Sequence, residues 1–425
     1  MNSKRIFLLD PPFQKFMNFS KNGIPTGLTS IAGSLKARGH EVRILDADYN
    51  PNGISYPLLA KMEHYQMYLD GLNDENHPIW KEVITQVEDF KPDLVGMTML
   101  SSKVESGLRV ASLLKRLGVP KVVCGGAHAT LSPQTILSNP FVNGVLSGEG
   151  ELRFEELFYK TFVQAERIED LDALPLSARE CLVGIEKYAP KDLGAIMSAR
   201  GCPNSCSFCS SNSLWGRKVR TRSLENVFRE VDSVHQNYGT TDFYIMDDTF
   251  TLQRNRVLSF GNGMTSRGFG WSCLTRADRM DKELAEHMVA SNCHLVKIGV
   301  ESGNERILDS MNKGIKLDDI RKTARVLNEA GLPWLGYFII ASPEETTSEM
   351  WDTWEFIKEI KPTYASISVY TNSPGTSFSR KYNYDREFKL SEANYHSLVV
   401  TPGKIPVDEL KKFIGLVDEY NGRNK

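Results

Sequence analysis

Short apolar runs alternate with amphipathic stretches twice along this chain, and that rhythm confines it to an α/β architecture more tightly than any single motif does. Between about residues 4 and 158 the apolar runs fall at 5–9, 42–45, 94–98, 121–124 and 144–146, with helical periodicity at 28–38, 80–90 and 104–117. Runs of this kind joined by helical crossovers predict a doubly wound, Rossmann-like parallel sheet whose ligand lies beyond the carboxyl ends of the strands. A polar stretch at 161–192, containing IEDLDALP, lacks clean periodicity and reads as a connector. The alternation restarts at 194, with runs at 194–199, 242–246, 270–275, 295–300, 334–340 and 365–370. Six strand–helix units are two short of an eight-fold barrel, so the second half reads as a partial (β/α)6 TIM barrel with its site at the C-terminal strand ends. The expected organisation is 1–160 for the first domain, 161–192 for the connector, 193–380 for the partial barrel, and 381–425 for a short C-terminal helical tail. That tail carries an amphipathic helix after Pro406, packing on the barrel or capping it.

What stands at the predicted strand ends is unusual. In the first half these are Asp10-Pro11-Pro12-Phe13, the stretch from Met97 and Thr98 to Ser102, Gly125-Gly126-Ala127-His128, and Ser147-Gly148-Glu149-Gly150-Glu151. Glycines at such places let a large ligand approach the backbone. In the second half a cysteine loop follows the first strand and Asp247-Asp248 the second. Arg276 with Asp278 follows the third, Glu301-Ser302-Gly303 the fourth, Ala341-Ser342-Pro343 the fifth and Tyr370-Thr371 the sixth. Each polar pair alone reads as a helix cap or solvated loop, but together they lie in phase with the cysteine loop.

That loop holds Cys202, Cys206 and Cys209 in the run GCPNSCSFC. Three thiolates at C-x3-C-x2-C spacing can hold three corners of a cubane iron–sulfur cluster, because soft sulfur suits iron. Three ligands leave the fourth iron open, as a catalytic metal requires. The alternatives are a structural zinc site or inert buried thiols. Zinc calls for a fourth ligand close by, usually in a second Cys/His pair. The next cysteine is Cys273, and His235 stands alone in a helical stretch.

Hydrophobic content of 41% and a net charge of −2 describe an ordinary soluble globular chain and argue against a nucleic-acid-binding surface. No apolar run approaches the ~20 residues of a membrane span. The N-terminal MNSKRIFLLDPPF turns into a strand and a Pro-Pro loop too early for a signal peptide. Seven cysteines, three of them on one loop, suit a reducing cytoplasm better than a disulfide scaffold.

The cysteine run, with Phe208 before its last cysteine, resembles the signature of the radical S-adenosylmethionine (SAM) enzymes. That resemblance implies a [4Fe–4S] cluster whose open iron chelates the amino and carboxylate groups of SAM, and reductive cleavage to a 5′-deoxyadenosyl radical. It implies that Asp247 or Asp248 meets the SAM amino group, Arg276 and Ser302 its carboxylate, and Glu301, in GVESGNERIL…MNKG, the ribose. The fifth-strand run IIASPEET departs from the family, with Ala341 and Glu344 where glycines are usual. Pro374-Gly375-Thr376 matches the branch again.

DPP, VGMT, CGGAHAT and SGEGE resemble the cobalamin-binding domain that precedes the barrel in a large branch of these enzymes. Asp10, Pro12, Phe13, Met97, Thr98, Gly125, Gly126, His128, Gly148, Glu149 and Gly150 are the cofactor-binding residues this implies. Relatives that ligate cobalt from below use the histidine of D-x-H-x-x-G. Here Pro12 stands at the histidine position and Lys15 at the glycine, implying cobalamin without a histidine ligand. Pro12, Phe13 or the 97–101 loop would face the lower side of cobalt, and His128 would pack or bond to the corrin periphery.

The implied fold is therefore an N-terminal Rossmann-like cobalamin-binding domain, a radical SAM partial barrel and a helical tail. The implied function is a cobalamin-dependent methyltransferase acting at an unactivated carbon of a small molecule or peptide, fed by an external one-electron reductant of flavodoxin or ferredoxin type. Some members of the branch cyclise or rearrange carbon skeletons instead, which is the nearest alternative. A non-catalytic cobalamin sensor has no use for an open iron. A tRNA methylthiolase needs a second cluster, and Cys124 is the only cysteine in residues 1–158.

Overall fold

The computed structural model describes residues 2–19, 21, 23–382 and 405–423. These fall into two compact units, one of residues 2–56 and 63–193, the other of 57–62, 194–382 and 405–423.

The first unit is a six-stranded sheet of β1 (Arg5–Asp10), β2 (Glu41–Asp46), β3 (Leu94–Thr98), β4 (Val122–Gly125), β5 (Gly144–Ser147) and β6 (Phe162–Gln164). All pairings are parallel, in the order β2-β1-β3-β4-β5-β6. Helices cover both faces, which is why the strand sequences are nearly continuous apolar runs. Phe7, Leu9, Val95 and Val122 bury against Val83, Phe90, Val110 and Leu114 of the helices Pro78–Phe90 and Val104–Arg116. The order reverses between β1 and β3, so the strand ends open a crevice there.

Residues 161–192, expected as a connector, belong to this unit. Phe162–Gln164 pairs with β5, and Ile44 forms a parallel bridge to Leu182. The Leu176 carbonyl sits on Gly33 of the helix Thr26–Ala37, where a Cβ would come within 2.3 Å of it. These pieces are a three-residue strand and short 3-10 turns, too brief to carry a periodic signal.

The second unit strings six parallel strands in chain order: β7 (Ala195–Ile196), β10 (Asp242–Ile245), β11 (Gly270–Thr275), β12 (Cys293–Glu301), β13 (Trp334–Ile340) and β14 (Tyr364–Val369). Such an unreversed order is that of a barrel wall, as expected for the partial barrel. Between β7 and β10 a small antiparallel pair, β8 (Ala199–Arg200) and β9 (Arg220–Thr221), brackets the cysteine loop. Helices following the strands start on side-chain caps at Ser223, Asp281, Asn304 and Thr346.

Of the expected tail, the helix Val407–Arg423 is described; residues 383–404 lie outside the described residues. It packs on the β14 edge through Leu410, Phe413, Ile414 and Val417. Asn421 accepts from the Ala365 N–H at 2.9 Å and donates to its carbonyl at 2.8 Å. Among the described residues no helix is long and apolar enough to cross a membrane.

Gly148, just after β5, adopts φ +97°, and a Cβ there would lie 2.2 Å from the Ala165 carbonyl oxygen. Gly148→Ala is therefore expected to destabilise the first unit by about 2–4 kcal/mol, from backbone strain and overpacking together. Urea titration of the variant followed by far-UV circular dichroism checks it.

Candidate active site

The cysteine loop is fixed from both ends. Ser198, just before β8, donates its N–H and hydroxyl to Asp247 at 2.7 and 2.6 Å, and the Ala199 N–H adds a third bond at 2.8 Å. Farther along, the Ser207 N–H donates to the Met311 carbonyl at 2.7 Å, and Asn312 donates to the Ser205 carbonyl at 2.8 Å. Each sulfur has a polar neighbour: Asn204 Nδ2 lies 3.4 Å from Cys202 Sγ, Arg276 3.8 Å from Cys206 Sγ, and the Ser211 N–H 3.4 Å from Cys209 Sγ. Donors aimed at sulfur favour the thiolate that binds iron. Burial opposes them, raising the Cys206 thiol and pushing Cys209 up to about 11. All three cysteines line one cavity of about 490 Å³. Among the described residues no three Cys, His, Asp or Glu side chains converge on a single ion position.

Asp248, Arg276, Glu301 and Phe208 share this cavity with the cysteines. Ser211 donates its hydroxyl to Asp248, whose carboxyl burial raises. Arg276 is held by Asp278 at 2.9 Å and by the Lys313 carbonyl at 2.9 Å. Glu301 stands at a register shift in β12 with φ +71° and takes Lys313 Nζ on Oε1 at 2.6 Å. Gly299 makes room for that pair, since a Cβ there would meet Glu301 Oε1 at 2.4 Å and Lys313 Nζ at 2.8 Å.

Two expected residues stand elsewhere. Asp247 is turned away from the cavity, because its three hydrogen bonds to Ser198 and Ala199 spend it as a tether; burial pushes its carboxyl up to about 6. Ser302 is fully buried, 3.3 Å from Thr353 Oγ1, and accepts from the Asn304 N–H, so it shapes the turn after β12 and does not line the cavity. Ser198 and Lys313 were not anticipated. Lys313 lay in the MNKG run, whereas nothing in the sequence marks Ser198. Ala341 adopts φ +58°, a left-handed conformation that glycine takes at less cost.

In the first unit the strand ends are spent largely on the chain itself. Asp10 pairs with Lys103 at 2.7 Å and Lys21 at 2.6 Å; Lys103 also meets Asp48 at 3.0 Å, and Lys21 meets Asp46 at 2.7 Å. Burial alone would raise the Asp10 carboxyl, but the two lysines hold it below its usual range. Pro12 is buried, and Phe13 packs edge-on against Tyr68 at 4.7 Å while its N–H donates to Asp48. Met97 lies in the core. All three side chains are buried within the unit. Gly126 abuts Thr98 Oγ1, where a Cβ would come within 2.7 Å, and Glu149 accepts from the Ile168 N–H at 3.2 Å. Gly150 is buried and Gly125 half-buried. Open at the β3 end are Thr98, Ser101 and above all Leu100, 46% exposed. His128 is 2% exposed, with Ser101 Oγ 2.9 Å from Nδ1 and Thr135 Oγ1 3.3 Å from Nε2. Both ring nitrogens of His128 are thus engaged by hydroxyls of the chain itself.

Burial holds the His128 imidazole down to about 4, from 6.5. The unfolded chain therefore binds its proton first, and stability falls as pH drops from 6.5 towards 4, by up to roughly 3 kcal/mol. His128→Gln, which keeps groups for Ser101 and Thr135, is expected to flatten that segment of the stability–pH curve. Denaturant midpoints at half-unit pH steps measure it.

Comparison with known proteins agrees with this geometry. The B12 binding domain profile matches residues 17–158, and the Radical SAM superfamily profile matches 196–357. An uncharacterized methyltransferase of Pyrococcus horikoshii is 30% identical over 79% of this chain and 78% of that relative. The cytidylyl-2-hydroxyethylphosphonate methyltransferase of Streptomyces wedmorensis is 26% identical over 87% and 80%. Among solved structures, the radical SAM methyltransferase TsrM of Kitasatospora setae, with cobalamin and a [4Fe–4S] cluster bound, aligns with a TM-score of 0.67 at 16% identity, covering 89% of this chain and 74% of that one. The chain thus belongs to the B12-binding radical SAM enzymes, whose cofactors are a [4Fe–4S] cluster, SAM and cobalamin.

Proposed function

We propose that the protein is a cobalamin-dependent C-methyltransferase that carries a methyl group from SAM to an unactivated carbon. The observation that carries this reading is a three-cysteine loop opening on a 490 Å³ cavity, in a chain whose first unit matches the B12 binding domain. When bound, the cluster supplies one-electron cleavage of SAM and hydrogen removal from carbon, and cobalamin carries the methyl group. Cys202, Cys206 and Cys209 hold three irons. Asp248 receives the SAM ammonium, and Arg276, already oriented by Asp278, receives its carboxylate. Glu301, with Oε1 fixed by Lys313, leaves Oε2 for the ribose diol. Phe208 and the cavity walls exclude water. A flavodoxin- or ferredoxin-type donor supplies the electrons, one for the cleavage of SAM and one that returns cobalamin to its methyl-accepting state. The substrate is a small molecule or a peptide side chain.

Cys206→Ala is expected to abolish both the cluster's charge-transfer absorbance and SAM cleavage in anaerobically reconstituted protein. Full iron content and activity in that variant would sink the cysteine assignment. Stoichiometry tests the reaction itself: each turnover should consume two SAM, giving one S-adenosylhomocysteine and one 5′-deoxyadenosine, with deuterium from the target carbon appearing in the latter. Product formed with 5′-deoxyadenosine but without S-adenosylhomocysteine would favour cyclisation or rearrangement instead.

A further inference from the structure

The inner face of the second unit carries a cation without an acid. On β12, Val296, Ile298 and Val300 are buried towards the helices, and Lys297 and Gly299 point the other way, in register with Leu274 of β11. Lys297 Nζ lies 3.7 Å from the centroid of the Tyr244 ring, and Tyr244, Leu274 and Gly299 all line the cavity that the cysteines share. Arg276 and Lys313, the cations that line this cavity, are paired with Asp278 and Glu301, whereas Lys297 stands behind the lining, against the Tyr244 ring. Lys297 has no carboxylate within 4.0 Å among the described residues, and burial lowers its pKa. Tyr244, Tyr337 and Ser368 line the same cavity, and Ser366 on β14 lies level with Tyr337 and Gly299. Among the described residues these four hydroxyls make no hydrogen bond to the protein. An ammonium without a carboxylate partner beside unspent hydroxyl donors, on a face whose acids Glu301 and Asp242 stand against Lys313 and His294 at opposite strand ends, is matched to an anion.

We propose that Lys297 is a substrate-positioning residue that pairs with an anionic group, a carboxylate or phosphate, on the methyl acceptor. Four residues of strand separate it from Glu301, so the anion sits on the order of 13 Å from the ribose-binding level. The acceptor is thus a molecule long enough to reach from the cysteine end to Lys297 with its charge at the far end. This inference rests on the reading of the cavity as the active site.

Limited acetylation tests it without turnover. Reconstituted holoenzyme with saturating SAM is treated briefly with N-hydroxysuccinimidyl acetate, and modification of each lysine is read by peptide mass spectrometry. Inorganic phosphate at 10 mM (an order-of-magnitude concentration, about that of weak single-anion sites) is expected to slow acetylation of Lys297 at least about threefold relative to sodium chloride of equal ionic strength. The exposed Lys282 serves as control and should be unaffected. Replacing Ser366 and Ser368 by alanine should weaken the protection without changing Lys282. Equal rates at Lys297 in phosphate and chloride would overturn the proposal. Failure of the wild-type enzyme to release 5′-deoxyadenosine would instead sink the functional reading, and the acetylation result would stand apart from it.

Discussion

The second unit depends on the three hydrogen bonds that Asp247 accepts from Ser198 and Ala199. β7 is only two residues long, and its ladder alone gives the chain little direction as it leaves the sheet. Asp247, at the end of β10, takes hold of the next residues and turns them into the small β8–β9 pair from which the cysteines hang. One carboxylate with three short donors is buried because its charge is met by directed dipoles. The cost is visible in its raised pKa, and the return is a loop whose sulfurs stand beside Asp248, Arg276 and Glu301.

The two units treat buried charge differently. In the first, three aspartates and two lysines close on one another beneath the ends of β1, β2 and β3. The polar groups there are spent on one another, and Leu100 stands exposed at the β3 end. In the second, the charged groups are paired only in part: Arg276 and Glu301 are each aimed by one partner and still line open space. A neutral macrocycle face and a charged sulfonium amino acid make opposite demands, and the two treatments answer them.

Much of this was legible in the sequence. Parallel strands formed where apolar runs predicted them, because a strand covered on both faces must be apolar throughout. The cysteine spacing located the loop, and Asp248, Arg276 and Glu301 came to it as strand-end residues of a barrel should. Side-chain direction beyond the strands was not legible. Asp247 and Asp248 are identical neighbours, yet one tethers a loop and the other faces a cavity. Phe13 and Met97 lie in the expected loops and strands but turn into the core. β6 went unseen because its pairing is set by β5, not by its own three residues. Where the chain remained in strand, alternation was informative: in VKIGVE the phase that buries the valines and isoleucine sends Lys297 inward.

An open row of parallel strands has two raw edges, and the β14 edge is closed by a side chain. The Asn421 amide offers Ala365 both an acceptor and a donor, as the backbone of a neighbouring strand would. The helix that brings it there is thus a stopper for the ladder, and the last turns of the chain decide whether the wall ends or invites a continuation. A chain clipped ahead of Val407 would leave the Ala365 N–H and carbonyl on the β14 edge without these two bonds.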